Sequence, residues 1–187
     1  MTAVEKPRLI SVDDYIDGEQ RSEVRHEYIA GVVYAMAGGS IDHNLIALNF
    51  AAALRNHLTG KHCRVLMADV KVRLEIAQDD VFYYPDMMVG CDPRDTEKFY
   101  LRHPKVIIEV LSESTERTDR REKLLSYLKI ESLEAYVLVA QDKSEVTILQ
   151  RGKNWRAEVL RGRDQTIQID SLQFTLPLNA LYEGVAV

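Results

Sequence analysis

The sequence predicts an α/β (α+β) domain, a central mixed β-sheet flanked by helices with extra N-terminal and C-terminal β-hairpins. Three observations carry this. Residues 105–112 are apolar on both faces, with β-branched Val106, Ile107, Ile108 and Val110, as in a central strand covered on both sides. Residues 41–58 repeat apolar positions at steps of three and four over a wide face, which needs a sheet to lie on. Strand-like and helix-like stretches follow in the order hairpin, helix, strands, helix, strand, hairpins.

Residues 1–187 read as one domain with a loose arm over about residues 1–10, punctuated by Pro7. Ser11 suits the N-cap of a short helix, Asp13 and Asp14 its first turn, and Gly18 its frayed end. Tyr28-Ile29 and Val32-Val33-Tyr34 form a hairpin turned by Ala30-Gly31. Ser40 caps the helix from Ile41 to Leu58, which Gly60 ends. Its wide apolar face has two rows: Ile41, Leu45, Leu48 and Ala52, then Ile46, Phe50, Leu54 and Leu58. Residues 63–74 alternate as a strand whose parity changes at Ala68-Asp69, a bulge or a bend. After a turn at residues 78–80, Pro85 interrupts the strand over residues 81–90, so that point is an edge or a break.

Residues 92–102 read as an exposed, mobile polar excursion. Ser112 to Thr115 make a turn, and residues 117–130 a helix with Leu124, Leu125 and Leu128 on its apolar side. Residues 135–140 and 145–150 pair through a turn at Asp142-Lys143. Residues 155–160 and 165–169 are further antiparallel strands, and residues 176–184 fit one short helix.

No apolar run approaches the roughly 20 residues a membrane span needs. The first ten residues lack the apolar core of a signal peptide, so the expected location is cytoplasmic, with no membrane partner. Cys63 and Cys91 are far apart and lack zinc-type spacing, and are expected as free thiols in a reducing compartment. The formal net charge of -5 does not advertise a nucleic-acid binder, although a local basic patch works within an acidic whole.

Chemistry gathers in the middle third. By strand alternation Glu109 shares a face with Ile107 and Leu111, where a carboxylate is expensive to desolvate unless paired. Asp86 follows Pro85 in a neighbouring strand, and Lys123 lies on the helix that follows Glu109. Two carboxylates from adjacent strands can share a divalent cation, and hard oxygen ligands suit Mg2+ (or Mn2+). An ammonium beside them supplies the positive charge that phosphodiester hydrolysis wants near attacking water.

Pro85-Asp86 followed by Glu109-Val110-Leu111 resembles the PD-(D/E)XK superfamily. More narrowly, the chain resembles the Uma-two family of restriction-type endonucleases. The likeness extends over Glu27-Tyr28 with Gly31, Ser40 to His43, YYPDMMV, IIEVLSEST, Asp119 to Lys123, Tyr127 and AYVLV. It implies a restriction endonuclease-like core that hydrolyses DNA. Asp86, Glu109 and the backbone carbonyl of Val110 would hold magnesium, and Lys123 would orient water. The superfamily at large places lysine two residues after the glutamate, where this chain has Leu111. Asp119, Lys123 and Tyr127 succeed one another at i, i+4 and could share one helix face.

Each residue also has a plainer reading. Glu109 suits a buried ion pair, Asp86 a turn, and Lys123 a solvated pair with Asp119. Glu27 suits the metal's surroundings or a hairpin surface, His43 a substrate contact or a helix first turn, and Tyr127 the site or the core. The basic run Arg117, Arg120, Arg121 and Lys123 is nearly cancelled by Glu116, Asp119 and Glu122, so it fits a solvated face or a phosphate contact. The rival to an endonuclease is a catalytically inactive nuclease-fold module that binds DNA or protein; a hydrolase of RNA is a third reading. A homodimer is also compatible, since nucleases that cut both strands often work as symmetric pairs.

Overall fold

The computed structural model describes residues 9–112 and 119–187. Most of the expected arm, the turn residues 113–115, the first residues of the 117–130 helix, and Glu116 and Arg117 lie outside the described residues.

Helix α1 (Val12–Glu19) starts at Ser11, whose Oγ accepts the Asp14 N–H at 3.1 Å, and it runs past Gly18. Strands β1 (His26–Ile29) and β2 (Val32–Ala35) form the expected hairpin, with Ala30 and Gly31 at φ of 49° and 88°. Helix α2 (Ile41–Leu58) begins at Ser40, whose Oγ accepts the His43 N–H at 3.0 Å.

The parity change at Ala68-Asp69 is a change of sheet. Strand β3 (Arg64–Met67) pairs with β6 (Met87–Gly90), whereas β4 (Lys71–Ile76) pairs with β5 (Asp79–Tyr83) elsewhere. The β4–β5 turn falls on Ala77-Gln78, both at positive φ, one residue ahead of the expected turn. Pro85 marks a second change of sheet between β5 and β6, where the missing N–H has no ladder to serve. The two crossings touch: the Ala68 N–H donates to the Asp86 carbonyl at 3.0 Å.

The excursion over residues 92–102 is not wholly exposed. Asp95 is buried and accepts the N–H groups of Arg102 and His103 at 2.7 and 3.1 Å, and β7 (Tyr100–Leu101) lies beside β4. After β8 (Pro104–Leu111) come a π-helical turn at Asp119–Lys123 and α3 (Leu124–Tyr127). Strands β9 (Ala135–Ala140), β10 (Glu145–Gln150) and β11 (Glu158–Arg161) form a meander. Strands β12 (Thr166–Ile169) and β13 (Phe174–Pro177) pair, and α4 (Leu178–Leu181) follows.

The six-stranded mixed sheet has order β11-β10-β9-β8-β6-β3, with β8 and β9 parallel. One face, with Met87, Val89, Val106 and Ile108, packs on Phe50 and Leu54 of α2 and on the C-terminal segment. Its other face, with Ile107, Leu111 and Tyr136, packs on Val72, Val81 and Tyr83 of a five-stranded sheet ordered β2-β1-β5-β4-β7. Helix α1 covers the far side of that sheet through Tyr15, Tyr28 and Phe82.

Of the two apolar rows on α2, only Ile46, Phe50, Leu54 and Leu58 are buried; Ile41 and Leu48 are 80% and 53% exposed. The helix presents one stripe to the sheet; of the neighbouring row Leu45 keeps a partial contact with the core, and Ile41, Leu48 and Ala52 face solvent. The segment after β8 inverts expectation further. It buries Asp119, Lys123, Ser126 and Tyr127, while Leu125 of the supposed apolar side is 66% exposed.

The cysteines are also corrected. The β3–β6 register pairs Arg64 with Gly90, so Cys63 and Cys91 stand opposite each other and are joined as a disulfide, Cα to Cα 4.2 Å. Register, which linear spacing does not reveal, overrides the expectation of free thiols. Among the described residues, no helix is long and apolar enough to cross a membrane.

Candidate active site

Strand β8 outruns β6. Their ladder ends at Met87–Ile108, while β8 continues against β9 through Glu109–Leu138 and Val110–Val139. Asp86 takes over the edge that β6 leaves. Its Oδ2 accepts the Val110 N–H at 2.7 Å, and its own N–H donates to Glu109 Oε2 at 3.1 Å. In a strand the N–H and C=O of one residue point the same way, so the Val110 carbonyl faces this edge too.

Alternation sends Glu109 toward the five-stranded sheet, where it is 2% exposed. Its Oε1 accepts the Tyr127 hydroxyl at 3.0 Å and lies 3.6 Å from Lys123 Nζ. That ammonium also lies 2.9 Å from Glu27 Oε1 and 3.2 Å from Asp119 Oδ1. Both of these oxygens are buried and sit at ion-pair distance from Lys123 without an aligned hydrogen bond. Lys123 also rests 5.5 Å from the Tyr83 ring centre. Tyr83 and Tyr136 pack edge-on against Tyr127, and the Tyr136 hydroxyl donates to the Asp119 carbonyl at 3.0 Å. His43, in the first turn of α2, places Nε2 3.1 Å from Asp86 Oδ1. The Asp86 side chain is 21% exposed against 3% for Glu109 and Asp119, so the cluster opens at Asp86 and His43.

Charge is unbalanced here. Three carboxylates surround Lys123, and Asp86 adds a fourth beside Glu109. Burial pushes the Glu109 carboxyl well up; Lys123 opposes this, and Asp86 and Asp119 add to it. Burial acts to lower the Lys123 ammonium, but Glu109, Glu27 and Asp119 outweigh it and the net direction is up. Burial, then the neighbouring Glu109, holds the Tyr127 phenol protonated, so it stays a donor. The hydrogen bond to Asp86 raises the His43 imidazole against the pull of burial. An all-oxygen donor set with excess negative charge fits a hard divalent cation. Asp86, Glu109 and the Val110 carbonyl are the groups that could hold one.

The structure therefore brings Asp86, Glu109, Val110, Lys123, Glu27, His43 and Tyr127 into one connected cluster. It adds Asp119, Tyr83 and Tyr136. For Asp119 the signal was its i, i+4 step from Lys123; Tyr83 and Tyr136 lie within YYPDMMV and AYVLV, where nothing marks them off from core aromatics. Arg120 of the basic run turns instead toward Glu145, at 3.9 Å.

The family model described as "Uma2: Putative restriction endonuclease" matches residues 12–179. The chain belongs to the Uma2 family. An uncharacterized protein of Synechocystis sp., slr1290, is 31% identical over 96% of this chain and 94% of its own. A second from the same organism, sll1609, is 26% identical over 92% and 99%. The crystal structure of "a putative nuclease belonging to DUF820" from Anabaena variabilis superposes with a TM-score of 0.73. It is 19% identical and covers 93% of this chain and 98% of that one, a likeness of fold. The nuclease-like mixed α+β architecture expected from the sequence is thus the one this Uma2 chain adopts.

Tyr127→Phe in this Uma2 chain should lower stability by about 1–3 kcal/mol, because it strips a buried hydrogen bond from Glu109. Urea unfolding reads the change; an unaltered midpoint would mean that the hydroxyl contributes nothing.

Proposed function

We propose that this chain is a Mg2+- (or Mn2+-) dependent endonuclease that hydrolyses DNA phosphodiester bonds. The observation that carries the reading is the Lys123 ammonium, 3.6 Å from Glu109 inside a carboxylate cluster that opens at Asp86.

Asp86, Glu109 and the Val110 carbonyl would hold the cation. When bound, it supplies Lewis-acid polarisation of the phosphate and a lowered pKa for its water. Lys123 would take the part of the lysine that the wider superfamily pattern has on the strand, reaching Glu109 from the following turn rather than from position 111. Glu27 and Asp119 fix its ammonium, which orients water and faces the negative charge that develops on the phosphate. Tyr127 fixes Glu109 in one rotamer. His43 positions Asp86 at the opening, where it can also meet substrate. The reading takes the whole chain as one cytoplasmic domain, acting singly or as a homodimer.

The test is supercoiled plasmid with Mg2+, run beside RNA of matched length. Wild type should nick the DNA, and Asp86→Ala and Glu109→Ala should not. Cleavage that survives both substitutions would sink the proposal, and cleavage of RNA alone would reassign the substrate. Leu111 in the lysine slot favours the rival reading, an inactive DNA-binding or interaction module. Calorimetric titration with Mg2+ or Mn2+ separates the two: uptake lost in Glu109→Ala supports the enzyme.

A further inference from the structure

The ladder of β3 on β6 has two ends. At one, Met67 pairs with Met87 next to Asp86; at the other stand Cys63 and Cys91 with His62 beside them. The two sulfurs and an imidazole nitrogen all lie within 4.8 Å of one another. We propose that His62, Cys63 and Cys91 form a redox-gated site for a soft divalent cation of the zinc class, closed as a disulfide and opened by a dithiol.

The sheet, rather than the S–S bond, sets the proximity. The pair Arg64–Gly90 fixes the neighbouring positions 63 and 91 across the ladder, so the sulfurs remain neighbours after reduction. A tetrahedral zinc site with bonds of about 2.3 Å to sulfur needs its sulfurs about 3.8 Å apart, within reach of side-chain rotation. Both cysteines are half-buried and His62 is exposed, so reductant and cation have access. Two thiolates and an imidazole also differ in kind from the carboxylate cluster. Soft and borderline ions prefer this end of the ladder, and hard ions prefer the other.

The chemistry balances. A dithiol gives two electrons and two protons to the disulfide. The protein S–S bond breaks, two protein thiols form, and the reductant closes into its own disulfide. Cation binding then releases the two thiol protons to solvent as two metal–sulfur bonds and one metal–nitrogen bond form, leaving the fourth position to water.

The test uses the full chain, reduced with a dithiol, desalted without oxygen and titrated with Co2+. Wild type should bind one equivalent with a thiolate-to-cobalt charge-transfer band that Zn2+ removes. Oxidised wild type, Cys63→Ser and Cys91→Ser should lack the band. His62→Ala, at an exposed position that leaves the fold intact, should bind more than about tenfold more weakly. Asp86→Ala should keep the band, which separates this site from the carboxylate cluster. Absence of the band in reduced wild type, its persistence in Cys63→Ser, or an unchanged affinity in His62→Ala would overturn the assignment.

Discussion

Lys123→Ala is expected to cost about 3–5 kcal/mol of stability, because it leaves several buried carboxylates facing one another with no cation among them. For a chain of this length that is a fall of about 6–20 °C in Tm, read by thermal denaturation. The pKa of Lys123 is raised in the folded state, so titration of the ammonium itself removes its contribution only as pH rises above the ordinary lysine value of 10.5. The damage should shrink in acid, where the carboxylates take up protons. Plasmid cleavage should vanish at all pH values. A Tm close to wild type would place Lys123 in solvent and remove the ion-pair geometry from the argument.

Glu109→Gln should act the other way on stability. The substitution keeps volume and leaves one oxygen to accept the Asp86 N–H, while the new NH2 can donate to the Tyr127 hydroxyl. It removes one of three carboxylate charges against Lys123 and the repulsion from Asp86, so stability should hold or rise, by on the order of 1 kcal/mol. Metal uptake should be lost and cleavage should fall about 100-fold or more. The opposed Tm changes of the two variants distinguish an over-acidic site from a matched structural ion pair. If Glu109→Gln lowers Tm as Lys123→Ala does, the pair is structural.

The most informative residues in the sequence were those that folding alone would not choose. Glu109 was legible because an apolar strand has no use for a charge. Pro85 was legible because a strand cannot use a residue without an N–H. Other features depend on partners that linear order hides. Two apolar rows on α2 are equally regular, and only the sheet beneath decides that Phe50 goes in and Leu48 stays out. The segment after β8 looked like a helix resting on its leucines. The acids around Glu109 draw Lys123 inward instead, and Leu125 is turned out. Tyr127 proved to be both things at once, a packed core ring and a hydroxyl on Glu109. The Cys63–Cys91 bond needed the β3–β6 register, which alternation alone does not supply.

The exchange between Asp86 and the Glu109-Val110 edge has a consequence for how such a chain can vary. Glu109 is anchored to the Asp86 N–H and Asp86 to the N–H of the next residue, Val110, so their separation is gauged locally and not through the residues between them. Between the two anchors, Asp95 and β7 are held in the fold and the exposed residues 96–98 are the spacer. Lengthening it pushes a loop outward and leaves both anchors in place. Removal of Met87 from β6, or of Ile108 ahead of Glu109 in β8, turns a carboxylate to the opposite side of the sheet. Length is free in the spacer and forbidden at the anchors, so what defines this site along the chain is two short words rather than the distance between them.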